Sequence, residues 1–385
     1  MKKLFKITSV ILILAVMVGL VSCKNGKKSG ISAGYQGTVN GVTFELSDMG
    51  KSVNLHSELQ NEYLEYINEE NGEFDDIGLY ARGITENSLP APVHLEWTAT
   101  AATTEIISSY TVNLSENKDM SSEYSIDTTE TELDVFNLKI ATTYYWTVTA
   151  YLSDGYATSG TAYFTTSYDG PRNLYVDGIT NVRDLGGYDI GGGKKVKQGL
   201  LYRCGRLNKT NDPTPTIEIS DDGIQTMKKQ LGVKTEIDLR WDEEAGLIEE
   251  SPLGSDVGYY RICMSYSGNI LNINSDAIVN VFEILAKEEN YPMIFHCSIG
   301  TDRTGVIAFL VNGLLGVSED DLCLDYVWSN FGQIGSSRRS DLIANTYLPR
   351  IKSMKGRKLK DKFYNYLLNI GVSSKDLNSI ISILA

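Results

Sequence analysis

The chain has 385 residues, of which 42% are hydrophobic and 22% are charged, and its formal net charge at pH 7 is −14. This length predicts two or three domains, and the composition is typical of a soluble globular protein. Because proteins bind nucleic acid largely by neutralising phosphates with basic side chains, the acidic balance argues against a nucleic-acid partner.

The first 23 residues have the layout of an export signal. A basic head, MKKLFK, precedes the apolar run ITSVILILAVMVGLV and then Ser-Cys. The apolar run is short for a membrane span but typical of a signal peptide. Its ending resembles a bacterial lipoprotein signal, in which Cys23 is lipidated and becomes the first mature residue. We therefore expect an extracytoplasmic lipoprotein, held to the membrane by its N-terminal lipid on the periplasmic or cell-surface side. A plain signal peptide or an uncleaved anchor is the alternative.

Residues 24–83 are predicted to form a tether and an N-terminal extension. The tether, KNGKKSGISAGYQG, is polar and rich in Gly, Ser and Lys, which is typical of a flexible linker. Residues 35–83 carry Tyr63, Tyr66 and Phe74 among many Glu and Asn residues. This part either adds strands to the next domain or contacts the last one.

Residues 84–168 have the pattern of a β-sandwich. The runs VHLEWTATA, SSYTVNLS and YYWTVTAYLSDG alternate apolar with polar residues, as half-buried antiparallel strands do. Trp97, together with Leu138 six residues before Tyr144, resembles the core anchor and tyrosine corner of fibronectin type III domains. We expect an all-β immunoglobulin-like or fibronectin III-like sandwich. Since this fold alone specifies no function, it is either a spacer that packs on its neighbour or a module that contacts protein or glycan.

Residues 172–385 differ from the sandwich in charge and in pattern. The sandwich region holds 2 Lys and 11 acidic residues (net −9), whereas the last region holds 25 basic and 27 acidic residues (net −2). Such a difference predicts separate domains. The capped amphipathic segments SDDGIQTMKKQLG and SDAIVNVFEILAKEEN alternate with the strand-like VKTEIDLR and YPMIFHCS. This order predicts an α/β domain with a central, mostly parallel sheet flanked by helices.

The segment FHCSIGTDRTG, residues 295–305, joins a predicted strand to an apolar helix. Ligands of such sheets bind beyond the carboxyl ends of the strands, where this loop falls. Five residues separate Cys297 from Arg303, and a loop of this length at a helix N-terminus can direct its amides to one centre. Gly300 permits the tight curl, and the Arg303 fork matches two phosphate oxygens. The same positive surroundings favour a thiolate, so Cys297 is a candidate nucleophile that attacks phosphorus.

The loop and four other segments resemble one known family. HCSIGTDRTG resembles the signature loop of the cysteine-dependent protein tyrosine phosphatases. NVRDLGGY, GLLYRCGRL, VKTEIDLR and DYVWSN occur in the order found in the bacterial branch of tyrosine phosphatase-like proteins. The resemblance covers about residues 172–385 and implies an α/β phosphatase domain. The branch also contains dual-specificity and phosphoinositide phosphatases.

The resemblance implies a role for each loop residue. Cys297 would be the nucleophile that forms a phosphocysteine intermediate, and Arg303 would bind and orient the phosphate. Thr304 would assist turnover, and His296 would support the cysteine by hydrogen bonds. The backbone amides that contact phosphate would come from Ser298, Ile299, Gly300, Thr301 and Asp302.

The general acid must protonate the leaving oxygen and therefore has to reach the mouth of the loop. In relatives with Asp-Arg inside the loop, the Asp before the Arg is taken to be this acid, which points to Asp302. Asp256 and Asp276, on loops upstream, are the alternatives.

Phosphotyrosine in a protein is the leading substrate class, and another small phosphomonoester is compatible with the same chemistry. Relatives that act on phosphoinositides often carry Lys where this loop has Thr301, so a phosphoinositide or inositol phosphate substrate with the same mechanism is the second choice. Residues 338–362 hold nine Lys or Arg and two Asp. They form either solvated helix faces or a basic rim that steers anionic substrates. A catalytically silent phosphate-binding or adhesion lipoprotein is the alternative of a different class.

No metal site or cofactor is expected. His56, His94 and His296 lie far apart in the chain, and neither an H-x3-H nor a paired C-x2-C spacing occurs. The proposed chemistry needs only side chains and water.

Overall fold

The computed structural model describes residues 33–50, 52–102, 104–168, 170–208, 217–246 and 248–385. The predicted signal, Cys23 and the first part of the tether lie outside the described residues. Within those ranges, no helix is both long enough and apolar enough to cross a membrane.

Antiparallel strands in the first half of the chain build two sheets around one core. They are β1 (Tyr35–Val39), β2 (Val42–Leu46), β3 (Val93–Ala101), β4 (Ser109–Ser115), β5 (Tyr124–Thr128), β6 (Glu132–Val135), β7 (Thr143–Leu152), β8 (Gly155–Thr158) and β9 (Ala162–Thr165). One sheet has the order β1-β2-β3-β6, and the other has β5-β4-β7-β8 with β9 also paired to β7. Val93, Leu95 and Trp97 are buried on β3 while the residues between them are exposed. The inner faces of the two sheets share one hydrophobic cluster, which includes Trp97 and Trp146.

The predicted corner between strands is present. The hydroxyl of Tyr144 accepts a hydrogen bond from the amide of Lys139 at 2.9 Å. A link from this hydroxyl to backbone a few residues upstream is what the tyrosine-corner pattern predicts. The runs singled out in the sequence form β3, β4 and β7.

Residues 35–83 divide between the two halves of the molecule. The β1–β2 hairpin pairs with β3, with Leu46 opposite Trp97. Helix α1 (Glu58–Ile67) and the 3-10 turn Phe74–Leu79 instead pack on the C-terminal half, where Tyr63, Leu64 and Ile77 enter its core. Both arrangements that the sequence left open therefore occur.

The C-terminal half is built on a five-stranded sheet. In chain order, the strands of this half are β10 (Arg183–Asp184), β11 (Asp189–Gly191), β12 (Lys194–Lys195), β13 (Leu201–Cys204), β14 (Thr235–Asp238), β15 (Gly258–Arg261) and β16 (Met293–His296). The sheet order is β10-β13-β16-β14-β15, and β11 and β12 pair apart from it. All its neighbouring strands are parallel except β10, which runs antiparallel to β13. Strands β13, β14 and β16 are buried at every residue, as strands covered on both faces should be.

Helices cover this sheet. They are α2 (Asp221–Gln225), α3 (Asp242–Ala245), α4 (Ile270–Ile273), α5 (Ser275–Leu285), α6 (Asp302–Leu315), α7 (Glu319–Val327), α8 (Leu348–Lys352), α9 (Leu359–Ile370) and α10 (Ser374–Leu384). The helix predicted after Ser220 forms as α2 followed by a π turn, Thr226–Gln230, and the Ser220 side chain caps it. Helix α6 is buried from Arg303 to Leu315, which explains why its sequence is apolar on every side.

Polar contacts join the two halves on the side of the sheet where β13 begins. The side-chain Nδ2 of Asn137 donates to the carbonyl of Tyr175 at 3.0 Å and to Oε1 of Gln230 at 2.9 Å. The side chain of Gln198 bonds both the amide and the carbonyl of Ile140, each at 2.9 Å. These bonds fix the first half against the edge of the sheet remote from the loop at residues 297–301.

Tyr63 tests how α1 docks on the C-terminal half. Its side chain is fully buried, its ring lies 6.1 Å from that of Trp328, and its hydroxyl donates to the carbonyl of Phe74. We expect Tyr63→Ala to lower the free energy of unfolding by about 3 kcal/mol or more, because a large cavity forms. Urea unfolding followed by tryptophan fluorescence measures this. Tyr156→Ala, at a tyrosine that is 64% exposed, should cost less than about 0.5 kcal/mol. Equal costs would contradict the docking.

Candidate active site

The loop between β16 and α6 curls at the carboxyl edge of the sheet, and one glycine makes the curl possible. Gly300 has φ +70°, a backbone conformation that side chains disfavour. A Cβ at this position would lie 2.2 Å from the carbonyl oxygen of Cys204. The loop therefore packs directly on the end of β13, and only glycine fits there.

Buried donors hold the loop carbonyls on the outside of the curl. Asn181 Nδ2 donates to the carbonyls of Ile299 and Gly300, each at 3.1 Å. Arg203 Nη2 donates to the Gly300 carbonyl at 2.6 Å. Because the carbonyl and the N–H of one peptide unit point in opposite directions, these bonds direct the N–H groups of Gly300 and Thr301 inward. Inward N–H groups in a curled loop are suited to an oxyanion.

A buried ion cluster fixes the arginine that holds the loop. Asp325 on α7 accepts from Arg203 at 2.5 Å and from Arg183 at 2.8 Å. Burial acts to raise the pKa of Asp325, but the two guanidinium charges more than offset this and lower its pKa below the ordinary range. Arg183, which the sequence analysis placed in a family segment, therefore acts through Asp325 and Arg203 on the loop.

The thiol of Cys297 lies at the base of the loop and is 2% exposed. Burial alone would raise the pKa of the Cys297 thiol. The positive charge of Arg303 and the nearby hydroxyl and amide of Thr304 outweigh burial, so the pKa of Cys297 lies below the ordinary thiol value. The site therefore favours a thiolate although it is closed to bulk water.

Arg303, at the start of α6, is oriented by Glu244 on α3. Nη1 and Nη2 donate to the two carboxylate oxygens at 2.6 and 2.8 Å. Burial acts to lower the pKa of Arg303, but the hydrogen bonds to Glu244 and the charge of Cys297 raise it overall. Glu244 also accepts from the Ser298 hydroxyl at 3.0 Å. No sequence motif pointed to Glu244; the signal available was the acidic run Asp-Glu-Glu, which begins four residues after the last residue of β14.

His296 is clamped between two carboxylates beneath the loop. Its Nε2 lies 2.8 Å from Glu236 and its Nδ1 lies 3.8 Å from Asp238, and all three side chains are fully buried. Burial acts to lower the pKa of His296, but the Asp238 charge and the Glu236 hydrogen bond raise it above its ordinary value. Nδ1 also lies 3.2 Å from the Cys297 carbonyl. The imidazole thus ties the end of β16, directly before the nucleophile, to β14.

The same three residues form a group of potential metal ligands in the described part of the chain, with their ligand atoms within 4.8 Å of one another. The donor set does not fit a metal, because Arg240 Nη2 already binds Asp238 at 2.6 Å. A guanidinium and an imidazole that favours its charged form supply the positive charge that a metal would bring. The group is an ion-pair cluster that supports β14 and β16.

Asp302 lies at the mouth of the loop and is engaged on both oxygens. Arg338 donates to them through Nε and Nη2, each at 2.9 Å. Tyr326 donates its hydroxyl to Asp302 at 3.2 Å. Of the basic residues at 338–362, Arg338 thus contacts the loop directly, whereas Lys352 pairs with Glu319 on α7.

Asp256 and Asp276 are the alternative candidates for the general acid. Asp256 precedes β15 and pairs with Lys228 at 2.6 Å, so it lies at the amino edge of the parallel strands, opposite the loop. This position excludes it as the acid. Asp276 is exposed in the first turn of α5. Thr301 is buried and accepts from Asn181 at 3.3 Å, so the position where some relatives carry Lys faces the protein interior.

Two aromatic side chains lie beside the loop, and no periodic pattern in the sequence points to them. The Arg303 guanidinium lies 5.3 Å from the ring centre of Tyr266, which is 61% exposed. Trp241 lies 6.3 Å from Tyr266 and is 42% exposed. Together they form an apolar wall next to a cationic, amide-lined centre.

Comparison with known proteins identifies relatives of the C-terminal half of the chain. A model of the tyrosine phosphatase family matches residues 174–369. A provisionally named tyrosine-protein phosphatase of Cupriavidus necator is 30% identical over 46% of this chain and 71% of its own length. A tyrosine-protein phosphatase of Nostoc commune is 30% identical over 29% of this chain and 45% of its own length.

Solved structures also match at lower identity. The catalytic domain of the PP-IP phosphatase Siw14 from S. cerevisiae, in complex with citrate, is 21% identical over 40% of this chain and 86% of that chain, with a TM-score of 0.27. TpbA of P. aeruginosa in complex with phosphotyrosine is 13% identical over 54% of this chain and 96% of that chain, with a TM-score of 0.26. The family assignment rests on the sequence matches.

Thr304 tests the account of the lowered thiol pKa. We expect the rate of alkylation of Cys297 by iodoacetate to rise with pH around a midpoint below that of an ordinary thiol, because only the thiolate reacts. Thr304→Val removes the hydroxyl next to the anion and should move the midpoint to higher pH. Thr304→Ser keeps the hydroxyl and should restore it. Mass spectrometry of the Cys297 peptide separates this reaction from the other cysteines. An unchanged midpoint in the Val variant would contradict the account.

Proposed function

The chain belongs to the tyrosine phosphatase family, and we propose that it is a protein-tyrosine phosphatase that works through a phosphocysteine intermediate at Cys297. One observation carries the proposal: the buried Cys297 thiol, whose pKa Arg303 and Thr304 lower, lies at the base of a curled loop whose Ile299 and Gly300 carbonyls are bound on its outer side. A thiolate in an oxyanion cradle is a nucleophile directed at phosphorus.

The first step would be attack on the phosphate. The Cys297 thiolate forms a bond to phosphorus, and the bond between phosphorus and the leaving oxygen breaks. Glu244 accepts one hydrogen bond from each Nη of Arg303. The edge of the guanidinium that carries Nε would then bind two phosphate oxygens. The residues from Ser298 to Asp302 supply the amides that stabilise the charge of the transferred group.

The second step would release phosphate. Water attacks the phosphocysteine and gives a proton to the Asp302 carboxylate, which lost its own in the first step; the bond between sulfur and phosphorus breaks, and the thiolate returns. Thr304 assists because its hydroxyl and amide stabilise that thiolate. Buried His296 supports the cysteine from behind through the Cys297 carbonyl.

Asp302 is the proposed general acid, since it is the carboxyl group at the mouth of the loop. Its two oxygens are both bound by Arg338. Proton donation therefore requires Arg338 to release at least one of them when the substrate enters. The anionic phosphate offers the guanidinium an alternative partner at that moment.

The surroundings of the loop support an aryl phosphate over an inositol polyphosphate. Trp241 and Tyr266 provide an apolar wall for a phenyl ring. The acidic first turn of α3 contains Asp242 and Glu243, which would repel further phosphates.

The proposal also includes a location and a role for the first half of the chain. The basic head, the apolar run and Cys23 support export and lipid anchoring. The bonds of Asn137 and Gln198 to the C-terminal half support a packing role for the two-sheet region. Contact of its outer faces with protein or glycan belongs to the same proposal.

Cys297→Ser tests the function. We expect the chain from residue 24 onward to release phosphate from a phosphotyrosine peptide in the presence of EDTA, and the Ser variant to lose this activity by several orders of magnitude, because a serine hydroxyl stays protonated. Cys263→Ser, at an exposed cysteine, should keep full activity. A phosphoserine peptide and an inositol polyphosphate complete the panel. Inactivity on every substrate by folded protein would refute the function, and a preference for the inositol compound would refute the substrate class.

Asp302→Asn tests the acid. A phenyl phosphate needs a proton on its leaving oxygen, whereas a nitrophenolate leaves as a stable anion. We therefore expect kcat for phenyl phosphate to fall by about 10²-fold or more and kcat for nitrophenyl phosphate to fall much less. Asp276→Asn is the matched control. Equal losses on both substrates would exclude Asp302, and a loss confined to the Asp276 variant would identify that residue instead.

A further inference from the structure

We propose that residues 75–88, here called the support segment, position the loop at residues 297–301 and residues 333–340, which carry Arg338. The support segment lies outside the family match and precedes β3. The inference rests on the proposed function for its activity readout, but its geometry is independent of the substrate. The match to the family begins at residue 174. Between the support segment and that point the chain passes through strands β3 to β9.

The support segment reaches the back of the phosphate-binding loop through Asn181. Ser88 Oγ accepts from the Asn181 amide at 3.1 Å. Asn181 has φ +59°, a conformation that needs support in a non-glycine residue. Its side chain in turn holds the carbonyls of Ile299 and Gly300. One chain of hydrogen bonds thus runs from Ser88 to the loop.

Glu86 joins three chain segments at one carboxylate. Oε1 accepts from the amide of Ser88 at 3.0 Å and from its hydroxyl. Oε2 accepts from the Thr180 hydroxyl and from the Gln333 amide at 3.1 Å. The carboxylate therefore orients three groups. They are Ser88, Thr180 (which precedes Asn181) and Gln333, at the start of the segment that leads to Arg338.

The support segment also holds residues 333–340, which carry Arg338 to the mouth of the loop. The amide of Gly83 donates to the Asn330 carbonyl at 2.8 Å, and the Gly83 carbonyl accepts from Ile334 at 2.8 Å. Asp75 accepts from the Ser340 amide at 2.6 Å. Bonds lie on both sides of Arg338, so the support segment sets the position from which Arg338 contacts Asp302.

These contacts differ from ordinary core packing. They are polar, they end on loop carbonyls and on the segment of Arg338, and they do not enclose a cavity that truncation would open. Their loss should therefore loosen the loop amides around the thiolate while the folded state persists. A purely structural role would instead change stability and leave each folded molecule fully active.

The test compares Glu86→Gln and Ser88→Ala with Glu70→Gln, an exposed carboxylate on the turn after α1, in the chain from residue 24 onward. We expect both support variants to lose about tenfold or more in kcat on a phosphotyrosine peptide and in affinity for tungstate. The rate of Cys297 alkylation by iodoacetate at pH 6 should fall about threefold or more, because a looser loop stabilises the thiolate less. Glu70→Gln should match the wild type in all three.

Circular dichroism and thermal melting report the folded fraction. Unchanged tungstate affinity and alkylation per folded molecule, in either support variant, would overturn the inference. Ser88→Ala removes only a hydroxyl, so it remains the test variant if Glu86→Gln fails to fold. If the wild type proves inactive on every phosphate ester, the proposed function fails, whereas tungstate binding and alkylation still decide the role of the support segment.

Discussion

The structure depends on one constraint: the carbonyls of a tightly curled loop must be satisfied on its outer side if its amides are to face inward. Asn181 and Arg203 meet this requirement. Arg203 is fully buried, and a buried guanidinium needs a counter-charge. Asp325 on α7 provides it and pairs with Arg183 as well. The demands of two loop carbonyls thus fix β10, β13 and α7, and Gly300 sets how closely the loop packs on β13.

Electrostatics around the loop are organised in layers. Closest to the thiol, Arg303 and Thr304 outweigh the effect of burial on the pKa of Cys297. In the next layer, Glu244 orients Arg303 and keeps its charge paired before any anion arrives. Below the loop, His296 lies between Glu236 and Asp238, where burial acts to raise the pKa of Asp238 but His296 and Arg240 lower it to about 2. Each charge is buried with a partner, so the low dielectric strengthens the arrangement instead of opposing it.

The sequence predicted what is local and left undetermined what is assembled from distant segments. Cys297, Arg303 and Thr304 lie within eight residues of chain, so their chemistry could be inferred from spacing and from the family resemblance. The alternation in β3 and the mostly apolar α6 likewise follow from period and composition. Glu244 and Asn181 come from distant segments, and no local pattern marks a side chain by what it will meet. The sequence of residues 35–83 marks Tyr63 only as an aromatic residue among polar ones, and it cannot show that Tyr63 faces Trp328 and not the two-sheet core.

The central claim is that the Cys297 sulfur carries the phosphoryl group. The most direct measurement is rapid acid quenching of the protein during turnover of a phosphotyrosine peptide, followed by mass spectrometry of its proteolytic fragments. The account predicts one phosphoryl group on the fragment that contains Cys297, present during turnover and gone once the substrate is consumed. Continued phosphate release with no label on that fragment, or with the label on another residue, would contradict it.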